Sequence, residues 1–236
     1  MRRFIVLAMF VAFSAHAAAS DYIEVRDLTL DAVGLDKLII DAGAGSLDVT
    51  GVDGLRHIEV KASIVVPDAD EDEGRKIIGK SMKLSLEQDG EAAKLVAGFD
   101  NRFWGGGSNS RIDLDIRVPA SMALTIDDGS GSMEVADVAA AVRIDDGSGS
   151  IAVRRVGSLH INDGSGSIDV KAANGDVYVD DGSGSITIEA VGGSVTIDDG
   201  SGEIRVTDVA KDLIILDDGS GSVTYTNVRG TFEGDD

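Results

Sequence analysis

Regularly spaced carboxylates are the residues of this sequence whose type and spacing could do chemistry. The phrase Asp-Asp-Gly-Ser-Gly-Ser, or a close variant, occurs six times at intervals of 17 to 19 residues. Its second acid is Asp128, Asp146, Asp163, Asp181, Asp199 or Asp218. Its first acid is Asp127, Asp145, Asp180, Asp198 or Asp217, with Asn162 in the third copy. Stacked carboxylates repel one another unless turn amides, raised pKa values or bound cations compensate.

These eleven aspartates are candidate ligands for calcium, because hard cations prefer oxygen donors. The alternative is that the carboxylates accept hydrogen bonds from turn amides. In the known calcium-binding solenoids the period is nine residues and the acid follows the glycines. Here the acids precede the glycines and the period is about twice as long. We favour amide capping and keep calcium as the second hypothesis.

A glycine-rich segment, 99–110, contains the second candidate binding site, Phe103 and Trp104. Exposed aromatic side chains are favoured in binding surfaces, so this pair could anchor a sugar or a protein partner. The alternative is that the pair packs against the body of the protein.

The residues after each acidic turn alternate between apolar and polar types. Four and six residues after the first glycine come, for example, Ile168 and Val170, then Ile186 and Ile188. A spacing of two, rich in Val and Ile, is typical of β-strands. A repeat of about 18 residues with two short strands predicts an all-β fold, a parallel β-solenoid with one coil per repeat. By alternation, Asp128 and its equivalents should point toward the turn, and Asp127 and its equivalents outward.

The rest of the chain belongs to the same predicted unit. Residues 38–49 are a less acidic copy of the repeat, and residues 56–120 interrupt the period with further strands and a short helix from Asp70 to Ser81. We therefore expect a single β-solenoid domain over 20–236, with a β-rich elaboration at 56–120 and regular coils at 121–236.

The N-terminus has the layout of a secretory signal peptide. Arg2 and Arg3 precede an apolar stretch, and small residues follow up to Ala19. This pattern predicts a signal peptide at 1–19, cleaved after Ala17 or Ala19, and no other segment is long and apolar enough to span a membrane. The sequence contains no cysteine, which excludes disulfides and thiolate chemistry. We expect an exported protein, periplasmic, secreted or at the cell surface.

The net charge and the residue inventory argue against two classes of function. A formal charge of −21 disfavours nucleic acid and anionic lipid as partners. The predicted mature chain has only His57 and His160, and no base is evidently paired with a serine. The Gly-Ser-Gly-Ser turns also lack the helix and the lysine of a nucleophile elbow or a phosphate loop.

The outward positions of the second strand of each coil are occupied by a mixed column of side chains. These are Thr125, Arg143, His160, Tyr178 and Thr196. A face of this kind suits contact with an envelope or surface glycan or with a protein, and equally suits plain exposure to solvent.

The order of these features resembles a known family. A signal segment, a worn Gly-Ser-Leu-Asp-Val coil, an inserted β-region ending in Asp113 to Pro119, and short Gly-Ser-Gly-Ser-Ile coils resemble the DUF4097 family over about residues 35–230. Members of that family are classed as bacterial adhesin-type proteins with a parallel β-solenoid, and some are envelope stress proteins. The resemblance implies a non-enzymatic, adhesin-like envelope protein and brings no catalytic residues. Two alternatives stay open, a calcium-stabilised structural module of the envelope or its stress response, and a polysaccharide-active β-helix enzyme. The sequence does not determine the oligomeric state.

Overall fold

The computed structural model describes residues 21–100 and 109–234. Its strands form two ladders, here called sheet A and sheet B, which are joined by β8 (Ala123–Ala136) because this long strand runs through the first acidic turn and belongs to both. The side chains between the ladders form one continuous apolar core, consistent with the predicted solenoid.

The coils that follow β8 have the same two-strand plan. In the first four of them, a five-residue strand ends at the second acid and an eight-residue strand begins at the second glycine, as in β9 (Val142–Asp146) and β10 (Gly149–Val156). The later coils are β11 (Leu159–Asp163) with β12 (Gly166–Ala173), β13 (Val177–Asp181) with β14 (Gly184–Val191), β15 (Val195–Asp199) with β16 (Gly202–Val209), β17 (Leu213–Asp217) with β18 (Ser222–Val228), and the final β19 (Phe232–Gly234). The pair β17 and β18 departs from this plan, because its first strand ends at the first acid, Asp217, and its second strand has seven residues. The predicted parallel β-solenoid of about 18-residue coils is confirmed.

Equivalent residues of successive coils stack directly on one another. Ile151 pairs in parallel with Ile168, and Ile168 pairs with Ile186, all three being at most 1% exposed. Because parallel strands lie about 4.8 Å apart, an isoleucine of one coil covers the isoleucine of the next. Burial of such columns removes apolar surface that a lone coil would leave in water.

The N-terminal copy of the repeat stacks as a coil before β8. β2 (Lys37–Ala44) pairs in parallel with β8 and places Asp41 beside Asp127, and β3 (Leu47–Val52) pairs with the second half of β8. The prediction that residues 38–49 are a worn coil is confirmed.

The elaboration extends both sheets beyond that first coil. Sheet A gains β7 (Arg111–Pro119), β4 (His57–Val66) and β1 (Tyr22–Asp31), and β4 runs antiparallel to both of its neighbours. Sheet B gains β6 (Ala92–Phe99) and the antiparallel β5 (Met82–Asp89).

The predicted short helix is confirmed as α1 (Glu71–Ser81). The Asp70 carboxylate caps it by accepting the Glu73 N–H at 2.9 Å, and Gly74 packs on the Tyr22 ring. Within the described ranges there is no helix that is long and apolar enough to cross a membrane.

The coils depart from regular strand geometry in two places, at a bulge before the last turn and at the corner of each coil. The 19-residue interval before Asp218 is absorbed by a bulge, since pairing skips from Ile215 to Asp217 and leaves Leu216 47% exposed. A left-handed residue directly precedes an apolar corner residue in each coil, at Asp137, Arg155, Ala172, Ala190, Asp208 and Asn227; the corner residue is buried in the first five and half-buried in the last.

The second glycine of each turn is required by the close approach of the neighbouring coil. Gly184 has φ +153°, and a Cβ atom placed there would overlap the carbonyl oxygen of Gly166. The same relation holds between Gly166 and Gly149, and between Gly202 and Gly184. A side chain at this position would force the coils apart.

We therefore expect Gly184→Ala to lower the free energy of unfolding by about 1–3 kcal/mol or more, because the clash is with backbone in the middle of the stack. The measurement is urea unfolding of both proteins. Gly79→Ala is the control, since Gly79 is an exposed helix position with no atom within 4 Å of the added methyl. That change should stabilise the protein by about 0.5–1 kcal/mol. Equal stabilities for wild type and Gly184→Ala would contradict the tight-turn argument.

Candidate functional site

The second acids of the turns form an inner column along the solenoid. Five of them are at most 4% exposed and lie in register on neighbouring strands: Asp128, Asp146, Asp163, Asp181 and Asp199. Their inward direction is the one that alternation predicts. Asp218 is different, because it follows the bulge and is only half-buried.

Turn amides satisfy one side of these inner carboxylates. The Oδ1 atoms of Asp163, Asp181 and Asp199 accept the N–H groups two residues later, at 3.1, 3.2 and 3.1 Å. The Oδ2 atoms of all five inner aspartates are buried and have no hydrogen-bond partner among the described residues. Asp163, Asp181 and Asp199 are therefore capped on one side only, and neither carboxylate oxygen of Asp146 has a hydrogen-bond partner in the described part of the chain.

Burial raises the pKa of every inner aspartate. Burial and then the neighbouring Asp146 carboxyl raise the pKa of Asp128 to about 7. Burial raises the pKa of Asp181 to about 6, against the hydrogen bond from the Ser183 amide. The pKa values of Asp146, Asp163 and Asp199 are raised as well, mainly by burial. Protons bound to Asp128 and Asp181 therefore relieve part of the repulsion along the column at pH values of about 6 to 7.

The first acids form a separate outer column on the outer face of sheet B. Asp127, Asp145, Asp180 and Asp217 are exposed, and Asp198 is half-buried. Because consecutive residues of a strand point to opposite faces, the eleven aspartates do not converge on one centre. Within residues 21–100 and 109–234, no group of three or more His, Asp or Glu side chains is arranged to hold a metal ion. The calcium hypothesis stays a prediction.

The candidate aromatic anchor, Phe103 and Trp104, lies outside the described residues, as does the predicted signal peptide at 1–19. Both stay predictions from the sequence.

A groove lies on the outer face of sheet B, beside the outer acid column. Its volume is about 550 Å³, within the range of small-molecule sites. One side is the mixed column predicted from the sequence, Thr125, Arg143, His160, Tyr178 and Thr196. The other side is a column of mostly small residues at or directly before the start of each strand: Lys37, Ala123, Ala141, Ser158, Asp176 and Ser194. Small side chains beside large ones create the depression.

An aromatic pair forms the wall of this groove. His160 and Tyr178 occupy equivalent positions of adjacent coils, and their rings stack with centroids 4.7 Å apart and planes inclined by 16°. Burial and the nearby Arg143 lower the pKa of His160, so the ring is mostly neutral at pH 7. The two rings cover each other's faces, so the pair presents its uncharged ring edges to the groove, beside the hydroxyl groups of the neighbouring serines and threonines.

The outer face of sheet A has a different character because its charged side chains pair across the coils. Lys171 contacts Glu189 at 2.8 Å, Arg155 contacts Asp137 at 2.6 Å, and Arg154 pairs with Glu134. These charges neutralise one another within the molecule, as expected of a solvated face.

The sequence identified the outward column of sheet B but not the groove or the ring stack. The signal for the stack was the occurrence of His160 and Tyr178 18 residues apart, at the same coil position. The groove could not be predicted from the sequence, because the small residues of the column beside the rings belong to no motif.

Comparisons with known proteins support the fold only. No family model matches the chain, and no curated protein matches it. The DUF4097 resemblance is therefore not confirmed by a family model. A crystal structure of a candidate adhesin from Bacteroides fragilis is similar, with a TM-score of 0.52 at 13% identity, over 92% of this chain and 99% of that one. A candidate cell adhesion protein from Clostridium sporogenes matches over 91% of this chain and 98% of its own, at 13% identity and a TM-score of 0.36.

The inner acid column predicts that the protein loses stability as the pH rises. A carboxyl with a raised folded-state pKa contributes fully below its ordinary value of 3.8, and this contribution is lost as the pH rises through about 6 and about 7. Each such carboxyl adds a slope of at most about 1.4 kcal/mol per pH unit. The measurement is urea unfolding from pH 4 to pH 8.

A matched pair of substitutions tests the assignment of this slope to the inner column. Asp181→Asn keeps the shape of the side chain and removes its titration, so the loss of stability with rising pH should become shallower. Asp180→Asn changes the exposed neighbour and should leave the slope close to that of the wild type. Identical slopes in all three proteins would exclude Asp181 as a source.

Proposed function

We propose that this protein is a non-enzymatic, exported, adhesin-like binding protein, and that the outer face of sheet B is its binding surface. The observation that carries the proposal is the His160–Tyr178 ring stack on the wall of a 550 Å³ groove. Exposed aromatic surface beside polar side chains is characteristic of binding sites. The partner is a component of a cell envelope or cell surface.

Three further points support this function. The solenoid is a rigid frame that repeats the same outward positions coil after coil, which suits presentation of an extended surface. The charges of sheet A pair internally, whereas the groove residues His160 and Tyr178 contact each other and leave their edges to solvent. The fold is similar to that of a structure from Bacteroides fragilis described as a candidate adhesin, although 13% identity transfers no function by itself.

Binding is tested with cell-envelope fractions immobilised on a surface and the purified mature protein. Tyr178→Ala removes half of the ring stack and should weaken binding about tenfold, because aromatic side chains commonly dominate binding energy. Thr187→Ala, on the outer face of sheet A, is the control and should bind like the wild type. The proposal fails if the wild type binds no fraction, or if Tyr178→Ala binds as tightly as Thr187→Ala. Release of soluble sugars from these fractions would instead favour the polysaccharide-active enzyme.

Export has its own test. The full chain, expressed in a bacterium, should appear outside the cytoplasm as a shorter protein whose first residue is Ala18 or Ser20, because cleavage is predicted after Ala17 or Ala19. N-terminal sequencing of the secreted or periplasmic protein measures this. A variant with Arg2 and Arg3 changed to Glu should be exported less, since the positive n-region is part of the signal. Retention of the intact wild-type chain in the cytoplasm would contradict the localisation.

A further inference from the structure

The groove on sheet B runs along the solenoid axis, across the strands. Its lining residues come from six neighbouring strands, β2, β8, β9, β11, β13 and β15. At about 4.8 Å between strands, the groove is about 24 Å long. It is therefore a channel for an elongated ligand and much longer than one sugar ring.

The backbone of these strands is not accessible to a partner. Each of β9, β11, β13 and β15 is hydrogen-bonded to a parallel neighbour on both sides. A peptide that binds by adding a strand needs a free sheet edge, and the groove has none along these strands. Recognition must proceed through side chains, by contact with the ring edges and by hydroxyl hydrogen bonds.

The charges around the groove argue against an anionic ligand. Lys37 and Arg143 line the groove, and Asp176 in the groove pairs with Lys211 at 3.6 Å. The outer acid column on the same face, which is Asp127, Asp145, Asp180 and Asp198, outnumbers these cations. The whole chain carries −21. A polymer of uronic acids would be repelled by this surface, whereas carboxylates readily accept hydrogen bonds from uncharged sugar hydroxyls.

We propose that the groove binds a linear, uncharged polysaccharide that lies along the solenoid axis, with one sugar ring against the His160–Tyr178 pair. This inference rests on the proposed function and names its ligand class. Because the two rings cover each other's faces, the sugar ring contacts the exposed edges of His160 and Tyr178, which carry polar atoms beside apolar C–H groups. Ser158, Ser194 and Thr196 supply hydroxyl groups that can donate or accept, and Arg143 supplies donors. No bond of the ligand is broken.

The length of the groove sets the expected dependence on ligand size. A monosaccharide can cover only the ring pair, whereas an oligosaccharide can contact several coils at once. Affinity should therefore rise with chain length until the ligand fills the groove, and then level off.

The experiment is calorimetric titration of the mature protein with cello-oligosaccharides and chito-oligosaccharides, from the monosaccharide to the hexasaccharide, with polygalacturonate as the anionic comparison. The hexasaccharide of at least one series should bind, and at least tenfold more tightly than its monosaccharide. Tyr178→Ala should reduce hexasaccharide affinity about tenfold, and Thr187→Ala should not. Equal affinity for short and long ligands, or tighter binding of polygalacturonate, would overturn the inference.

Envelope fractions separate this inference from the proposed function. The hexasaccharide that binds in the titration should compete the wild type off these fractions, and protease treatment of the fractions should not reduce binding. Binding that is lost with Tyr178→Ala, is not reduced by either hexasaccharide and is destroyed by protease would keep the proposed function and reject the polysaccharide. Absence of binding to any fraction and to every oligosaccharide would reject both.

Discussion

The close approach of successive turn backbones is the constraint on which the rest of this structure depends. The second glycine of one turn lies against the glycine carbonyl of the turn before it, so closely that no Cβ atom fits between them. Only glycine at that position allows the coils to reach the spacing of a parallel ladder. The near identity of the six turns follows from this contact, because every coil must meet its neighbour in the same way.

In the resulting register, each residue stacks on the equivalent residue of the next coil, whether or not contact between the two side chains is favourable. For Ile151, Ile168 and Ile186 it is favourable, since each side chain covers the next and apolar surface leaves water. For the inner aspartates it is costly, because carboxyls of equal charge are held in a row inside the protein. Turn amides compensate on one side and raised pKa values on the other. The contribution of the acidic turns to the free energy of unfolding therefore depends on the pH.

Much of this architecture can be predicted from particular residues. The 18-residue period and the alternation around Ile168 and Ile186 give the strands, the coil and the direction of Asp181 and Asp180. The early acids and Lys80 give α1, whose start at Asp70 has a capping side chain. In each case the determinant is local, namely a period, a turn phrase or a cap.

The features that the sequence does not show depend on contacts between distant segments. Ala172 and Ala190 adopt left-handed conformations without being glycine, because the corner is imposed by the stacked coils on either side. The antiparallel strands β4 and β5 extend the two sheets through pairings that the repeat pattern does not predict. The groove is similar in this respect. His160 and Tyr178 are visible in the sequence, but the trough beside them exists only where Ala141 and Ser158 line up in the folded sheet.

Because the coils stack in parallel register, the number of coils can change without changing which positions of each coil face outward. The regular coils from β9 to β16 present nearly the same backbone to the coil before and to the coil after. One whole repeat can therefore be gained or lost at a glycine turn while the remaining neighbours still fit. Each such event would change the reach of the rod by about 4.8 Å and leave its two faces in phase. Recombination between the repeats can therefore change the length of the rod during evolution, in steps of one coil.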